Sequence, residues 1–423
     1  MNKGRKKPNL ILIFLLTLTL TIGAGVGVLY VVTIHRGQSE PEATDRDRDN
    51  GQAVAQVYDI EDSSEAEKEE QSVDEEPVDN SKYGKILADE EYCAENRIYA
   101  IDAGYDDEVS LLFAGDISFA DGYANMETLK QRGGEIAAAF DDNTLEIMQS
   151  ADIFMVNNEF TYTSRGTPTE EKAFTFRGNP DYVRYLKDIG ADVVSVANNH
   201  VYDYGEVSLL DTLDTLEGAG VPYVGAGRNI DEAVKPVYFI VNDIKIALVS
   251  ATQIERLDNP DTKGATADSA GTFRCWNNDR IYDVIKDAAA QSDYVVAYIH
   301  WGTENEEIPD WAQDKMAPKL AEAGADLIIG DHPHILQKIG YIGSTPIIYS
   351  LGNYWFNSKT LDTGLLEVTL DTEGHTNTVR FIPAIQSGCR TVVVNGAEAE
   401  RVLDHMRELS GGVTIDSEGY IHK

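Results

Sequence analysis

Short apolar runs recur along much of the chain, and most of them end in glycine or in polar residues. Runs such as Val109–Ala114 and Tyr294–Ile299 have the length of strands, whereas Val207–Ala219 and Trp311–Ala323 carry helical patterns. Short buried strands separated by helices are typical of βαβ units around a largely parallel sheet. From about residue 108 the pattern therefore predicts an α/β fold with a substantial sheet.

Local signals add detail to this prediction. The tripeptide Gly-Ala-Asp occurs at 190–192 and at 324–326, each time between a helical pattern and an apolar strand, which indicates a glycine at the helix C-cap. Residues 237–251 predict two strands about a turn at Asn242-Asp243. Residues 397–409 predict an amphipathic helix at the edge of the domain.

The first 36 residues predict a membrane anchor. Residues Leu10–Ile34 form a run of 25 without a charged side chain. A helix of about 20 apolar residues spans a bilayer, whereas the apolar core of a cleaved signal peptide has roughly 7–15. Lys3, Arg5 and their basic neighbours precede the run, so this end is expected in the cytoplasm and the remainder outside the cell.

Residues 37–81 predict a disordered linker, because they hold 16 acidic and 3 basic residues and one aromatic residue, Tyr58. The whole chain carries −37; after the +5 of residues 1–36 and the −13 of the linker are removed, residues 82–423 retain −29. This strongly acidic folded domain argues against nucleic acid as a partner. The chain has no CxxC spacing, which excludes structural zinc on paired thiolates.

Polar, metal-competent residues follow the carboxyl ends of several predicted strands. In open α/β sheets ligands bind at this edge, so these side chains are expected to meet there. Carboxylate, amide and imidazole donors together suit one or two divalent ions such as Mn, Fe or Zn. Taken one by one, the same residues could equally be turn formers, helix caps or core histidines. The set comprises Asp116, Glu159, Asn199 with His200, His300, and His332 with His334.

Six short motifs, five of which contain these residues, occur in an order that resembles the CapA family of poly-γ-glutamate capsule proteins. That family resembles the calcineurin-like metallophosphoesterases in fold, which implies a four-layer α/β/β/α sandwich. The resemblance spans roughly residues 108–390. The motifs are Phe113-Ala114-Gly115-Asp116, Asn157-Asn158-Glu159-Phe160, Ala197-Asn198-Asn199-His200 with Asp203 and Gly205, His300-Trp301-Gly302-Thr303-Glu304, Gly330-Asp331-His332-Pro333-His334 and Ser350-Leu351-Gly352-Asn353.

The resemblance also implies roles for individual residues. Glu159 would bridge two ions, and His200 would act as a general acid. Two positions depart from the metallophosphoesterase pattern, because Ser118 stands where a histidine ligand is found and Glu159 replaces a shorter aspartate. The remaining metal ligands would be Asp116, Asn199, His300, His332 and His334.

Two further residues are assigned near this site. Arg177, in a segment that resembles part of the family, could hold a carboxylate or phosphate with two parallel hydrogen bonds, or it could form an ordinary surface salt bridge. Glu304 could be a solvated acid of its loop, but the resemblance favours a hydrogen bond between Glu304 and His300.

Three functions are consistent with these features. The first is a membrane-anchored accessory protein for synthesis or export of poly-γ-glutamate or a related anionic cell-surface polymer. The second is a metal-dependent hydrolase of phosphoester or amide bonds in capsule or cell-wall material. The third is a non-catalytic binding domain on a degenerate metal site, which Ser118 favours. Because the domain and the polymer are both acidic, the expected contacts are ion-bridged, local, or made through the synthase complex.

Overall fold

A computed structural model describes residues 81–105, 107–254, 263–276 and 279–423. Within these ranges no helix is both long enough and apolar enough to cross a membrane. The predicted anchor at residues 1–36 and the predicted linker, except for its last residue, lie outside the described ranges.

Most of the described strands belong to two mixed sheets. In chain order the strands are β1 (Ile98–Ala100), β2 (Val109–Ile117), β3 (Ile153–Asn158), β4 (Thr161–Tyr162), β5 (Arg177–Gly178), β6 (Val193–Ser195), β7 (Tyr223–Val224), β8 (Ala226–Gly227), β9 (Val237–Val241), β10 (Ile244–Thr252), β11 (Gly271–Thr272), β12 (Tyr294–His300), β13 (Leu327–Asp331), β14 (Ile339–Ile342), β15 (Thr345–Ile348), β16 (Asn353–Trp355), β17 (Leu361–Leu370), β18 (Thr376–Ser387), β19 (Arg390–Val393), β20 (Thr414–Ile415) and β21 (Ile421–His422).

The α-helices connect these strands or flank the sheets. They are α1 (Gly84–Leu87), α2 (Glu90–Asn96), α3 (Ala124–Gln131), α4 (Asp142–Ser150), α5 (Arg184–Asp188), α6 (Glu206–Ala219), α7 (Ile230–Ala233), α8 (Arg280–Ala289), α9 (Trp311–Ala323) and α10 (Gly396–Leu409). Two 3₁₀ helices span Ile136–Ala138 and Pro180–Val183. The second of them continues directly into α5.

Each large sheet has a parallel centre. One sheet has the order β1-β9-β10-β12-β13-β15-β14, and β10, β12, β13 and β15 run parallel. The other has the order β19-β18-β17-β2-β3-β6-β7, with β2, β3, β6 and β7 parallel and β16 paired to β2. Parallel strands place their carboxyl ends at one edge, which is where the polar residues follow.

Alternating side chains show that the two sheets pack face to face. On β12, Val296 and Tyr298 belong to a core shared with the other sheet, while Val295 and Ala297 pack toward α8 and α9. On β2, Leu112 faces a third core that holds side chains of α4, α5 and α6. This period of two is expected of strands covered on both faces. The predicted α/β class is confirmed, and helices cover both outer faces of the paired sheets.

Several local predictions are also confirmed. Asn242 and Asp243 both have positive φ, at 49° and 59°, in the turn that joins β9 to β10. Gly190 and Gly324 have positive φ at the ends of α5 and α9. The helix predicted at 397–409 is α10, which adds Val402 and neighbouring residues to the core between the sheets.

Candidate metal centre

All of the predicted donors lie at the meeting edge of the two sheets. Asp116 is near the end of β2, and Glu159 directly follows β3. Asn199 follows β6 after a short turn, and His300 is the last residue of β12. His332 and His334 follow β13. Five strands from two sheets therefore deliver the donors to one place.

The first set of converging atoms comes from Glu159, Asn199, His300 and His332, and is called the His300 cluster. Donor atoms of Glu159, His300 and His332 lie within 4.8 Å of one another. The Asn199 Oδ1 atom lies 2.7 Å from His300 Nε2, and Glu159 Oε1 lies 3.7 Å from the same nitrogen. One carboxylate, one amide and two imidazoles thus face a common point.

The second set, called the His334 cluster, contains Asp116, Glu159 and His334. Their donor atoms also lie within 4.8 Å of one another. His334 Nδ1 is 2.9 Å from Asp116 Oδ2 and 2.9 Å from Asn353 Oδ1. Glu159 belongs to both clusters, so the structure brings together all six predicted ligands in two sets that share one carboxylate.

The acidic side chains of this edge are fully buried. Burial, together with repulsion from Asp116 and Asp331, raises the pKa of the Glu159 carboxyl well above its ordinary value. Burial and repulsion from Asp116 likewise raise the pKa of Asp331. Burial favours the neutral acid at Asp116 too, but the hydrogen bond and attraction to His334, with the attraction to His300 and a hydrogen bond from Asn157, together outweigh burial and lower the pKa. Three carboxyl groups are thus crowded where a cation would relieve their repulsion.

The imidazoles differ in their ionisation. Burial lowers the pKa of His300 to about 3, so that its ring is neutral at ordinary pH. Burial also lowers the pKa of His200, against the opposing effect of Asp203. At His334 the neighbouring Asp116 outweighs burial and raises the pKa. A neutral imidazole is the form that binds a metal ion.

Asp331 is a member of the site that sequence analysis did not assign, although it stands beside His332. Its Oδ1 lies 2.9 Å from His300 Nδ1, on the opposite side of the ring from Asn199. The prediction that Glu304 is the hydrogen-bond partner of His300 is wrong, because Asp331 takes that nitrogen and Glu304 is exposed. A carboxylate on the second nitrogen fixes the tautomer and orientation of a metal-binding histidine.

The buried ion pair between Asp203 and Lys172 holds the imidazole of His200 in place. Its Nδ1 lies 2.8 Å from Asp203 Oδ2, and its Nε2 lies 4.0 Å from Glu159 Oε1. The other Asp203 oxygen is 2.6 Å from Lys172 Nζ, whose side chain is 6% exposed and also donates to the backbone carbonyl of Asn199. The imidazole is therefore oriented with Nε2 toward the shared carboxylate. Nothing in the sequence pattern marked Lys172, whereas Asp203 lies three residues after His200 in the same motif.

The segment that carries His332 and His334 is not extended. Both residues have positive φ, at 93° and 63°. Their rings still lie side by side, with centroids 5.8 Å apart. Left-handed backbone at two non-glycine residues is uncommon and is found at functional sites.

Arg177 lies beside the site, in a wall of aromatic side chains. Its guanidinium carbon is 4.5 Å from the centroid of the Tyr204 ring, and no ion pair of Arg177 is found within the described ranges. The preceding residue, Phe176, has its ring centroid 4.3 Å from that of His200. Phe174 stacks on Phe176 and is 63% exposed. Phe176 thus packs against His200, while the Arg177 guanidinium lies on Tyr204 and the exposed ring is that of Phe174.

Ser118 occupies a buried position at the end of β2. Its backbone nitrogen donates to the carbonyl of Trp355, and its carbonyl accepts from the side chain of Asn125. Its hydroxyl has no hydrogen-bond partner among the described residues. The serine therefore supplies no imidazole to the His334 cluster, in agreement with the departure seen in the sequence.

The donor chemistry of the edge suits a divalent cation. Glu159 Oε1 is fully buried and receives no hydrogen bond from any described residue, although its neighbours include two imidazoles. A buried carboxylate oxygen without a donor is costly unless a cation faces it. The described residues thus form a cluster that could hold a divalent metal, with Glu159 common to both halves.

Comparison with known proteins gives a consistent assignment. A family model described as bacterial capsule synthesis protein PGA_cap matches residues 110–358. The PGA biosynthesis protein CapA of Bacillus subtilis (strain 168) is 31% identical over 277 residues, covering 64% of this chain and 70% of that protein. The capsule biosynthesis protein CapA of Bacillus anthracis is 31% identical over 242 residues, covering 55% and 57% respectively.

Among solved structures, a 5'-nucleotidase from Candida albicans SC5314 aligns with a TM-score of 0.36 and 10% identity, over 73% of this chain and 60% of that one. A similarity this low supports no argument about this protein. The family match covers more than half of the chain and contains every donor of both clusters. The chain therefore belongs to the bacterial capsule synthesis protein PGA_cap family.

Proposed function

We propose that this protein is an accessory protein for the synthesis or export of poly-γ-glutamate or a related anionic cell-surface polymer, working on a metallophosphatase-like scaffold. The observation that carries the proposal is that the family-matched region, residues 110–358, contains the entire donor set of the candidate metal centre. The relatives named for capsule biosynthesis support the polymer class.

Metal ions at this centre would reduce the repulsion between the acidic domain and an acidic polymer. The domain is acidic, and a polymer of glutamate would be repelled by it unless positive charge is supplied locally. Divalent ions held by the two clusters would supply that charge at one edge, and they would polarise a bound oxygen atom of the polymer or its precursor. Arg177, whose guanidinium lies against Tyr204 and forms no ion pair with a described residue, would add a further cation for the polymer.

The location of the protein forms part of the proposal. The uncharged run Leu10–Ile34 would anchor it in the cell membrane with the basic amino terminus in the cytoplasm. The acidic segment 37–81 would then separate the folded domain from the membrane surface, outside the cell. Protease treatment of intact cells should remove the folded domain. A variant that lacks residues 1–36 should leave the membrane fraction, and retention of that variant with the membrane would contradict the anchor.

Deletion of the coding sequence tests the polymer role. In a host that makes the polymer, the deletion strain should lose surface polymer, measured as bound cationic dye and as glutamate released by acid hydrolysis of the washed surface fraction. Wild-type protein should restore the polymer. As a control, the variant Glu373→Gln, at a distant exposed residue, should restore the polymer as well as the wild-type protein does. Unchanged polymer in the deletion strain would refute the role.

A second candidate function, hydrolysis of phosphoester or amide bonds in capsule or cell-wall material, is favoured by the arrangement around His200. Asp203 and Lys172 hold its ring so that Nε2 faces the shared carboxylate, at 4.0 Å from Glu159 Oε1. In this position the protonated Nε2 would donate to the leaving oxygen or nitrogen of a bound substrate. The metal ions, when bound, would lower the pKa of a water molecule and so supply the nucleophile.

His200→Ala separates catalysis from binding. If the protein hydrolyses its substrate, the purified full-length variant should lose turnover of phosphoesters or γ-glutamyl amides by about 10²–10⁴-fold while its metal content stays that of the wild type. His405→Ala, at a partly exposed histidine on α10, is the matched control. Turnover that survives both chelation and His200→Ala would exclude this mechanism. Full capsule function of the variant in cells would instead favour a non-catalytic binding role.

A further inference from the structure

We propose that Asn353 is a metal ligand, and that its side-chain oxygen completes the His334 cluster in place of the imidazole that Ser118 does not supply. This inference rests on the metal centre of the proposed function and concerns a residue outside the predicted donor set. It assigns to each half of the centre one asparagine oxygen, from Asn199 in one half and from Asn353 in the other.

The geometry around His334 carries the assignment. Asn353 is 2% exposed, and its Oδ1 lies 2.9 Å from His334 Nδ1, the nitrogen that Asp116 Oδ2 also approaches to 2.9 Å. Ligand atoms bound at about 2.1 Å to one ion lie roughly 3.0–3.4 Å from one another. The spacing of these atoms is therefore close to that of ligands around a single ion, before any adjustment of the side chains.

Hydrogen bonding alone does not account for this convergence. The Nδ1 atom of His334 carries at most one proton, yet two acceptor oxygens, one of them a carboxylate, face it at the same distance. One N–H can be well aligned with only one of them. A cation held among these atoms would attract the nitrogen and both oxygens at once, so the arrangement fits an ion better than a single shared proton.

The other half of the centre shows the same local arrangement. In the His300 cluster, Asn199 Oδ1 lies 2.7 Å from His300 Nε2, and the carboxylate of Glu159 lies 3.7 Å from that nitrogen. In both halves an imidazole nitrogen is thus flanked by one amide oxygen and one carboxylate oxygen. With Asn353 included, each half has four side-chain donors, and Glu159 is common to both.

The backbone is built to bring Asn353 to this place. Asn353 is paired with Asp116 where β16 runs parallel to β2, and the Asp116 amide donates to the carbonyl of Gly352 at 3.0 Å. A Cβ atom on Gly115 would lie 1.9 Å from that carbonyl oxygen, so the close approach requires glycine there. The Ser350 hydroxyl accepts from the Gly352 amide and donates to the carbonyl of Ile335, which ties this turn to the segment after His334.

Three variants of the full-length protein test the ligand. Each is stripped of metal, dialysed against Mn²⁺ and analysed for metal content and affinity, and a Co²⁺-loaded sample is examined by visible absorption, which reports the ligands of the ion. Asn353→Leu removes the oxygen with little change in volume, and Asn353→Asp keeps an oxygen donor. Asn357→Leu is the matched control, because Asn357 is four residues further on and hydrogen-bonds Gln386 and Lys359 instead.

The expected result is a loss confined to one ion. Asn353→Leu should lower the affinity for one of the two ions at least tenfold and leave the affinity for the other unchanged. Asn353→Asp should bind both ions at least as tightly as the wild type, with an altered Co²⁺ spectrum. Asn357→Leu should match the wild type. Two ions of unchanged affinity in Asn353→Leu would overturn the assignment. If that variant does not fold, weaker binding or an unaltered spectrum in Asn353→Asp would overturn it.

The inference and the polymer role can fail separately. A wild-type protein that takes up no Mn²⁺ or Co²⁺ would overturn the assignment of Asn353, whereas the accessory role is measured on the surface polymer of the deletion strain. Loss of that polymer on deletion, together with a metal-free protein, would keep the role and exclude the ligand.

Discussion

The two halves of the candidate metal centre share Glu159 but differ in burial and charge. The ring of His300 is fully buried, and this burial keeps it neutral by lowering its pKa to about 3. The side chain of His334 is 16% exposed, and its contact with Asp116 raises its pKa. One half is therefore already in the metal-binding form, whereas the other must release a proton before it binds an ion.

This difference predicts two ions of unequal affinity. Folding has already removed water from the His300 cluster, and Asp331 fixes the tautomer of the His300 ring. In the His334 cluster the ion competes with a proton that Asp116 stabilises. We therefore expect the ion of the His300 cluster to be held more tightly and the ion of the His334 cluster to exchange more readily. The following changes test this from the largest expected effect to the smallest.

Glu159→Gln should have the largest effect, because this residue serves both clusters. The variant should contain neither ion by elemental analysis. At a metal concentration of 100 times the Kd of one site, the ion bound there should add about 2.7 kcal/mol to the stability of the wild-type protein. The variant should gain none. Both are measured as the shift in Tm on addition of metal. Without metal at neutral pH the variant should be the more stable protein, because the raised pKa of Glu159 makes its ionised form costly in the fold. Two ions in the variant would show that Glu159 is not shared.

His300→Ala and His334→Ala should each remove one ion. Comparison of the two variants then shows which half of the centre holds its ion more tightly. His300→Ala should leave one weakly held ion that chelator removes quickly, while His334→Ala should leave one that chelator removes slowly. Release rates are measured with a chromogenic chelator in stopped-flow. The opposite order of rates would reverse the ranking, and equal rates would remove the distinction between the two clusters.

Lowering the pH should release the two ions separately. The raised pKa of His334 means that its proton begins to compete with the ion at a higher pH than for an ordinary histidine, so this ion is lost first as the pH falls. His300, with a pKa of about 3, has no such competition until much lower pH. Metal content after equilibration between pH 8 and pH 5 should fall from two equivalents to one. Loss of both ions in a single step would contradict the difference in charge.

Asp331→Asn should have the smallest effect, because Asp331 acts through His300. The amide can still meet the imidazole but removes a buried charge, so the affinity of one ion should fall about 10–100-fold while the stoichiometry stays at two. Calorimetric titration with Mn²⁺ measures both quantities. His334→Ala combined with Asp331→Asn should show this loss in the one remaining ion, and an unaffected remaining ion would place Asp331 outside the His300 cluster.

The sequence was sufficient to predict most strands of the two large sheets and the meeting of the six candidate donors at one edge, because each donor lies at or within a few residues of the end of a buried strand. The repeated Gly-Ala-Asp tripeptide shows why such local signals succeed. Asp192 and Asp326 each accept a hydrogen bond from the backbone of a neighbouring strand, from Phe154 and Val295, after a glycine with positive φ. These contacts depend on residues close in the chain and on the regular geometry of the sheet.

The sequence was insufficient where the site depends on contacts between distant segments. Lys172 reaches Asp203 from a loop whose pattern carries no signal, and Asn353 meets Asp116 only because β16 pairs with β2. The residue that faces the second nitrogen of His300 was likewise misassigned to Glu304. In these cases the backbone approach that selects the partner cannot be inferred from spacing along the chain.

The pairing of Asn353 with Asp116 also has a consequence for how the protein matures. The two residues are separated by more than half of the chain, and the donors between them are contributed by both sheets. A chain synthesised from its amino terminus cannot present the full donor set until β16 has emerged and docked on β2. If the centre takes up ions as proposed, their capture would be a late event in biogenesis, and a truncated or stalled product would be recognisable by its failure to retain metal.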